Sequence, residues 1–275
     1  MTIEELEHTA RRARRLIVET VIAAGVGHAG GSLSSADVMT ALYFDIMKMD
    51  PGNPRWEDRD RFVLSKGHSS VGLYSQLHLK GLMSREQLFT FRQNGSALSG
   101  HPDMRKVPFV EMSTGSLGHG LAVGIGMALA GRLDKKDYRV FVMIGDGESQ
   151  EGSIWEGALC APHYGLDNLT VILDRNRIQI DGFTEDIMSL EPVADKWRAF
   201  GWEVREIDGH SMADVVSTLR SVPFAAGKPS FVVAHTVKGK GVSFMENNYV
   251  WHGGAPKGDL AEQALREVTA ALEKD

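Results

Sequence analysis

The sequence predicts an α/β fold: a doubly wound parallel sheet flanked by helices. Three observations carry this. Short apolar, β-branched-rich runs at residues 138–144 (YRVFVMI), 168–174 (NLTVILD) and 230–235 (SFVVAH) have the pattern of strands buried on both faces. Helical stretches alternate with them, as βαβ units require. Each run stops abruptly in a polar or glycine turn, and open α/β sheets bind ligands at such strand ends.

Taken in order, residues 4–24 form the first helix, with Leu6, Ala10, Ala13, Leu16, Ile17, Val21 and Ile22 broadly on one side. Gly25 ends it, and a glycine cluster, GHAGG at 27–31, holds His28. Residues 34–47 read as helix, with Ser34 or Ser35 as the cap. A polar connection at 50–59 leads to a short strand at 62–64, which breaks at Ser65-Lys66-Gly67-His68. His68 therefore sits at a strand-to-helix junction, where phosphate sites recur. Helices follow at 71–82 and 85–91, and the loop SALSGHPD places His101 between Gly100 and Pro102. STGSLGHG at 113–120 opens a small-residue helix at 121–133. Gly124, Gly126 and Gly131 cost that helix roughly 1 kcal/mol each relative to Ala. Close packing, within the fold or across an interface, would account for them. Later elements are a helix at 192–200, a strand at 201–207, a helix at 211–219 and the strand at 230–235. TVKGKGV and the loop WHGGAPK follow, before a last helix at 259–272.

The unit between these halves, residues 141–182, carries the chemistry. A strand ends in Gly145-Asp146-Gly147, a helix at 149–164 stops at Gly165, and a second strand ends in Arg175-Asn176-Arg177. A right-handed crossover puts Asp146 and Asn176 just past the carboxyl ends of two parallel strands. A carboxylate, an amide oxygen and turn carbonyls are hard donors suited to Mg²⁺ or Ca²⁺, completed by phosphate oxygens. Gly147 lets the backbone approach an anion, and the following helix N-terminus favours negative charge. The competing account is a capping Asp and a turn Asn in an ordinary βαβ unit. The matched Asp and Asn on successive strands favour a metal–diphosphate site.

Bulk properties narrow the function. At 275 residues the chain can bury a sizeable core, and one domain over 1–275 is expected. A formal charge of −6 gives no electrostatic basis for nucleic acid binding. The single cysteine, Cys160, excludes an internal disulfide and is expected in the core. No apolar run approaches a membrane span, and MTIEELEHTARRARR lacks the apolar core of a signal peptide. A cytoplasmic protein without membrane contact is expected.

The GDGESQEG text, followed about thirty residues later by Asn176 and IQIDG, resembles the thiamine diphosphate motif of transketolases. Histidines set beside glycine extend the resemblance. GHAGG resembles the family's GHPG, DRFVLSKGH its DRFVLSNGH, SGHPD its PGHPE and WHGGAP its HGAP. The resemblance reaches from the first helix to about Lys257. It implies a thiamine diphosphate-binding fold and a divalent metal, Mg²⁺ with Ca²⁺ or Mn²⁺ as substitutes. The metal would rest on Asp146, Asn176 and the Ile178 carbonyl. His68 and His252 would contact the diphosphate, and His28, His101 and His252 would be catalytic toward substrate. Gly115, Ser116 and Leu117 would line the cofactor, together with Gly147, Glu148, Asn176 and Ile180. Lys238 would help neutralise the diphosphate. Ser116 replaces a family proline, and His119 replaces a glutamine and takes no role. Glu151 and Glu156 match glutamates near the family's dimer interface, with solvated or capping roles equally open.

The family transfers a two-carbon ketol unit from a ketose phosphate to an aldose phosphate, and the cofactor carries the bond cleavage. Its cofactor-activating glutamate lies on a separate pyrimidine-binding domain. No such domain follows here, so the resemblance implies the N-terminal subunit of a split transketolase. The partner would be a C-terminal, pyrimidine-binding subunit in an α₂β₂ heterotetramer acting on sugar phosphates. Three alternatives remain. One is half of a 2-oxoacid dehydrogenase or a 1-deoxyxylulose-5-phosphate synthase-like enzyme. Another is a transketolase specialised for an unusual phospho- or sulfo-sugar, and the last is a non-catalytic cofactor-binding subunit. A nicotinamide-binding domain is disfavoured because no G-x-G-x-x-G follows the first strand.

Overall fold

Strand runs buried at nearly every position dictate a sheet with helices on both sides. The computed structural model describes residues 1–273. Seven strands form: β1 (Arg61–Leu64), β2 (Val140–Gly145), β3 (Leu169–Arg175), β4 (Ile178–Gln179), β5 (Gly182–Phe183), β6 (Glu203–Asp208) and β7 (Ser230–His235). The main sheet runs β1-β2-β3-β7-β6 with every pair parallel, and β4-β5 make a small antiparallel hairpin. Successive side chains on one strand enter different cores. Phe141 and Met143 of β2 pack into one, while Val140, Val142 and Ile144 pack into the other. The edge strand β6 is only partly buried.

The first core is closed by α1 (Ile3–Ala24), α2 (Ala29–Ser34), α3 (Ala36–Ala41), α4 (Ser70–Leu79) and α5 (Arg85–Leu88). The second is closed largely by α6 (His119–Leu133), α7 (Gly152–His163) and, beyond the short α8 (Thr184–Ile187), α9 (Val193–Ala199). The chain then returns to the first side with α10 (Met212–Arg220) and α11 (Asp259–Ala270). Helix α1 begins with a capping box, Thr2 to Glu5, and stops at Gly25 in the left-handed region.

Several expectations are corrected. The glycine cluster, given no helix in the sequence reading, opens α2, so Gly30 and Gly31 are helical and buried. They serve close approach: a Cβ on Gly30 would lie 2.8 Å from the Trp251 carbonyl oxygen, and one on Gly31 2.8 Å from Ser69 Oγ. The helix expected at 34–47 is α3 followed by one wider turn, Leu42–Ile46. Neither Ser34 nor Ser35 caps it. Ser35 Oγ donates to the Gly31 carbonyl at 2.8 Å, and Ser34 Oγ donates to Asp174 at 2.7 Å. The helix expected at 149–164 is interrupted at Glu151, with a tight turn, Gly147–Gln150, preceding α7. The helix expected at 85–91 shortens to α5, and the β4-β5 hairpin was not anticipated. Cys160 is half-buried rather than in the core. In α6, Gly124 meets Val142 and Gly131 meets Tyr138, both within the fold, whereas Gly126 faces open space.

Candidate functional site

The carboxyl ends of β1, β2, β3 and β7 open onto a cavity of about 370 Å³. His28, His68, His101, Gly115, Leu117, Asp146, Gly147, Glu148, Asn176, Ile178, Ile180, Lys238 and His252 all line it. Of the residues expected to hold metal, cofactor or substrate, Ser116 alone lies elsewhere, in a neighbouring hollow with Thr114 and His119. His119 caps back on its own turn, its ring 3.1 Å from the Leu117 carbonyl. Glu151 and Glu156 are exposed.

The floor is the Asp146 turn. Asp146 is 2% exposed, and its Oδ1 accepts from the Gly147 N–H at 2.8 Å. Its Oδ2 accepts from the Arg177 N–H and lies 3.3 Å from the Arg175 guanidinium. Burial pushes this carboxyl up despite the Lys238 and Arg175 cations beside it. Asn176 Oδ1 accepts from the Ile178 N–H at 3.1 Å, and its Nδ2 donates to Asp174 at 3.0 Å. A carboxylate accepts only, so this contact orients the amide. The Ile178 carbonyl accepts from Lys238 Nζ at 2.9 Å. Glu148 is a strut: its buried carboxylate accepts from Ser65 Oγ and, at 2.9 Å each, from the Gly118 and Gly145 N–H groups. Gly118 has a φ of 83°, and a Cβ there would lie 2.8 Å from that of Glu151.

Beneath the floor runs an ionic network that sequence reasoning missed. Lys66, fully buried, binds Asp174 and the Gly31 carbonyl at 2.6 Å each and Ser35 Oγ at 3.2 Å. Asp174 also accepts from Ser34 at 2.7 Å and Thr236 at 2.5 Å. Together Lys66 and these hydroxyls hold the Asp174 carboxyl below its ordinary value against its burial. Arg175 ties Asp146 to Thr184 at 2.8 Å, Glu185 at 2.8 Å and Glu191 at 2.9 Å. The available signal was a charged pair, Asp174-Arg175, ending an otherwise apolar strand.

The wall is a histidine cluster. Ring centroids lie 5.3 Å apart for His28–His68 and His68–His252, and 5.7 Å for His28–His252. Burial, then Lys66, holds His68 well below the usual imidazole value. Burial, then Lys238, brings His252 down to about 3. His28 is lowered by burial and by His101, and His101 by burial and Arg92. All four rings are neutral near pH 7, chiefly through burial, and the cations beside them suit an incoming anion. Nδ1 of His28 and Nδ1 of His252 are buried with no hydrogen-bond partner.

Buried polar atoms without protein partners are what a ligand site requires. Among the described residues no three His, Cys, Asp or Glu side chains gather as a metal site. The donors here are one carboxylate, one amide oxygen and one carbonyl, a set suited to Mg²⁺ when phosphate oxygens complete it. Asp146, Asn176 and Ile178 therefore fit a metal–diphosphate group.

Residues 6–271 match the family profile described as transketolase, thiamine diphosphate binding domain. Over 274 residues the chain is 50% identical to one of the subunits named for the apulose-4-phosphate transketolase of Phocaeicola vulgatus, covering 100% of this chain and 97% of that one. It is 46% identical to the 6-deoxy-6-sulfo-D-fructose transketolase subunit SqwG of a Clostridium species, covering 98% and 97%. The crystal structure of transketolase from Campylobacter jejuni superposes with a TM-score of 0.93 at 34% identity, over 100% of this chain and 44% of that one. The chain thus spans less than half of that solved transketolase. It belongs to the transketolase family, in its thiamine diphosphate binding domain.

Proposed function

We propose that this chain, as one domain, is the diphosphate-holding subunit of a two-chain transketolase. It moves a two-carbon ketol unit from a ketose phosphate to an aldose phosphate. The observation that carries the proposal is the convergence of Asp146, Asn176 and the Ile178 carbonyl on one cavity with His28, His68 and His252. Asp146, Asn176 and Ile178 would hold Mg²⁺, with Ca²⁺ or Mn²⁺ as substitutes. The Gly147 backbone, His68, His252 and Lys238 would bind the diphosphate. The Gly115–Leu117 backbone and Ile180, 66% exposed, would flank the cofactor at the open rim. Bound thiamine diphosphate would supply the carbon centre that carries the two-carbon unit. His28 and His252, neutral near pH 7, would each accept a substrate hydroxyl proton on a ring nitrogen. His101, at the exposed rim, would orient the sugar.

The activating glutamate and the sugar-phosphate contacts would come from a separate pyrimidine-binding subunit in an α₂β₂ assembly. Relatives of the same length that are themselves named as transketolase subunits support a two-chain enzyme. Their names also favour the specialised reading, a phospho- or sulfo-sugar outside the common set, over a 2-oxoacid dehydrogenase half. No helix among the described residues is long and apolar enough to cross a membrane. The enzyme would act on its sugars in the cytoplasm. The test is reconstitution with the neighbouring pyrimidine-domain chain, assaying ketol transfer from apulose 4-phosphate, sulfofructose and xylulose 5-phosphate. Activity is expected only in the mixture and only with thiamine diphosphate and Mg²⁺. Full activity from this chain alone would overturn the split, and full activity of Asp146→Ala would overturn the site.

A further inference from the structure

We propose that Lys238 is a tethered counter-cation competing with the divalent metal for the Ile178 carbonyl, which makes metal and diphosphate bind as a coupled pair. This rests on the metal–diphosphate assignment above and concerns how the two components enter.

The two lysines of the site are built differently. All three donors of Lys66 have protein acceptors: Asp174, the Gly31 carbonyl and Ser35 Oγ. Lys238 is as deeply buried, 3% exposed, yet its one hydrogen bond among the described residues runs to the Ile178 carbonyl at 2.9 Å. Two of its three donors are left without a protein acceptor. The backbone around it is fixed. The Val237 N–H donates to His210 Nε2 at 2.8 Å, the Gly239 N–H donates to the Gly30 carbonyl at 3.1 Å, and Thr236 is bound to Asp174. The stem lies over Gly30, where an added Cβ would sit 3.1 Å from Lys238 Cγ and 3.3 Å from its Cε. No side chain at Gly30 therefore blocks the lysine stem, whose backbone is held in place.

The Ile178 carbonyl is also the oxygen assigned to the metal. A divalent cation on it would meet an ammonium already hydrogen-bonded there, and like charges at that range repel strongly in a buried site. A diphosphate removes the conflict. Its oxygens offer the ammonium anionic acceptors, the lysine leaves the carbonyl, and the metal gains the carbonyl and phosphate oxygens together. The diphosphate thus acts on the metal through a difference in contacts between two lysine positions, which is what a coupling requires.

The experiment uses the full chain with Mn²⁺ as the metal probe, its free form followed by electron paramagnetic resonance. Titrations are made with and without inorganic pyrophosphate, the solution Mn²⁺–pyrophosphate equilibrium being subtracted. Wild type should bind Mn²⁺ alone weakly and tighten when pyrophosphate is present. Lys238→Met should bind Mn²⁺ alone on the order of tenfold more tightly than wild type, bind pyrophosphate alone more weakly, and show a smaller coupling factor. Lys238→Arg, which keeps the charge, should keep the coupling. Lys238→Gln serves the same comparison if the methionine variant folds poorly by circular dichroism. Unchanged or weaker Mn²⁺ binding in both uncharged variants, or an unchanged coupling factor, would overturn the proposal. Asp146→Asn separates the two levels. Retained Mn²⁺ affinity there would overturn the metal assignment and this proposal with it. Lost affinity there, beside unaltered Lys238 variants, would overturn this proposal alone.

Discussion

The ionic network beneath the cavity and the histidine wall in front of it are built on opposite rules. Beneath, Lys66, Asp174 and Arg175 are buried and fully partnered, each facing at least one group of opposite charge. In front, three imidazoles pack together with two buried nitrogens unpartnered, and their nearest charges are cations. A satisfied network gives one rigid arrangement, and an unsatisfied one is costly until something fills it. The difference suits the network to stability and orientation, and the wall to the ligand capture proposed for it.

Substitutions can break that division. The largest effect is expected from Lys66→Met. It leaves Asp174 buried without its cation and should cost about 3–5 kcal/mol in urea unfolding, as removal of one partner of a buried pair does. A loss below about 1 kcal/mol would mean the floor is not what holds the strand ends. Next comes His252→Ala in the reconstituted enzyme. Removing the proton-handling role proposed for it should lower kcat/KM by about a hundredfold, with a change in unfolding free energy of less than about 1 kcal/mol. A large stability loss there would move the histidine wall into the structural class.

The smallest effect is on pH dependence. His68 and His252 have folded values below the unfolded imidazole value of about 6.5, so the unfolded chain binds more protons in acid. Their stabilising contribution is present above pH 6.5 and is lost as pH falls. Each should cost the ligand-free chain about 1 kcal/mol between pH 6.5 and 5.5. Thermal unfolding across that range should show the drop, and His68→Asn should remove one share of it. An equal slope in the variant would place that ring in solvent.

The sequence made the wall and the two side chains proposed to hold the metal legible because each lies in a short local string. Gly-flanked histidines, GDG and an Asn after an apolar run are read within a few residues. The parallel sheet was legible for the same reason, since burial on both faces makes each strand uniformly apolar. The network beneath was not legible. Lys66 and Asp174 stand 108 residues apart, and only the β1-β2-β3 order brings their strand ends together. Helix α2 at Gly30 and Gly31 was not legible because glycine disfavours helix, yet here tertiary packing needs the missing Cβ more than the helix needs the propensity. The β4-β5 hairpin, two residues per strand, is too short to leave a periodicity.

The backbone bridge between His28 and Gly254, with the Gly254 N–H donating to the Gly27 carbonyl at 2.7 Å, bears on how the protein is made. One side of the cavity comes from the first tenth of these residues and its neighbour from near the last. During synthesis the sheet and both cores can begin to form while the later segment is still unmade. The histidine wall cannot close until residue 254 has emerged, so His28 and His68 wait for His252 while more than 180 residues between them are made. Until then the three-ring cluster lacks one of its members.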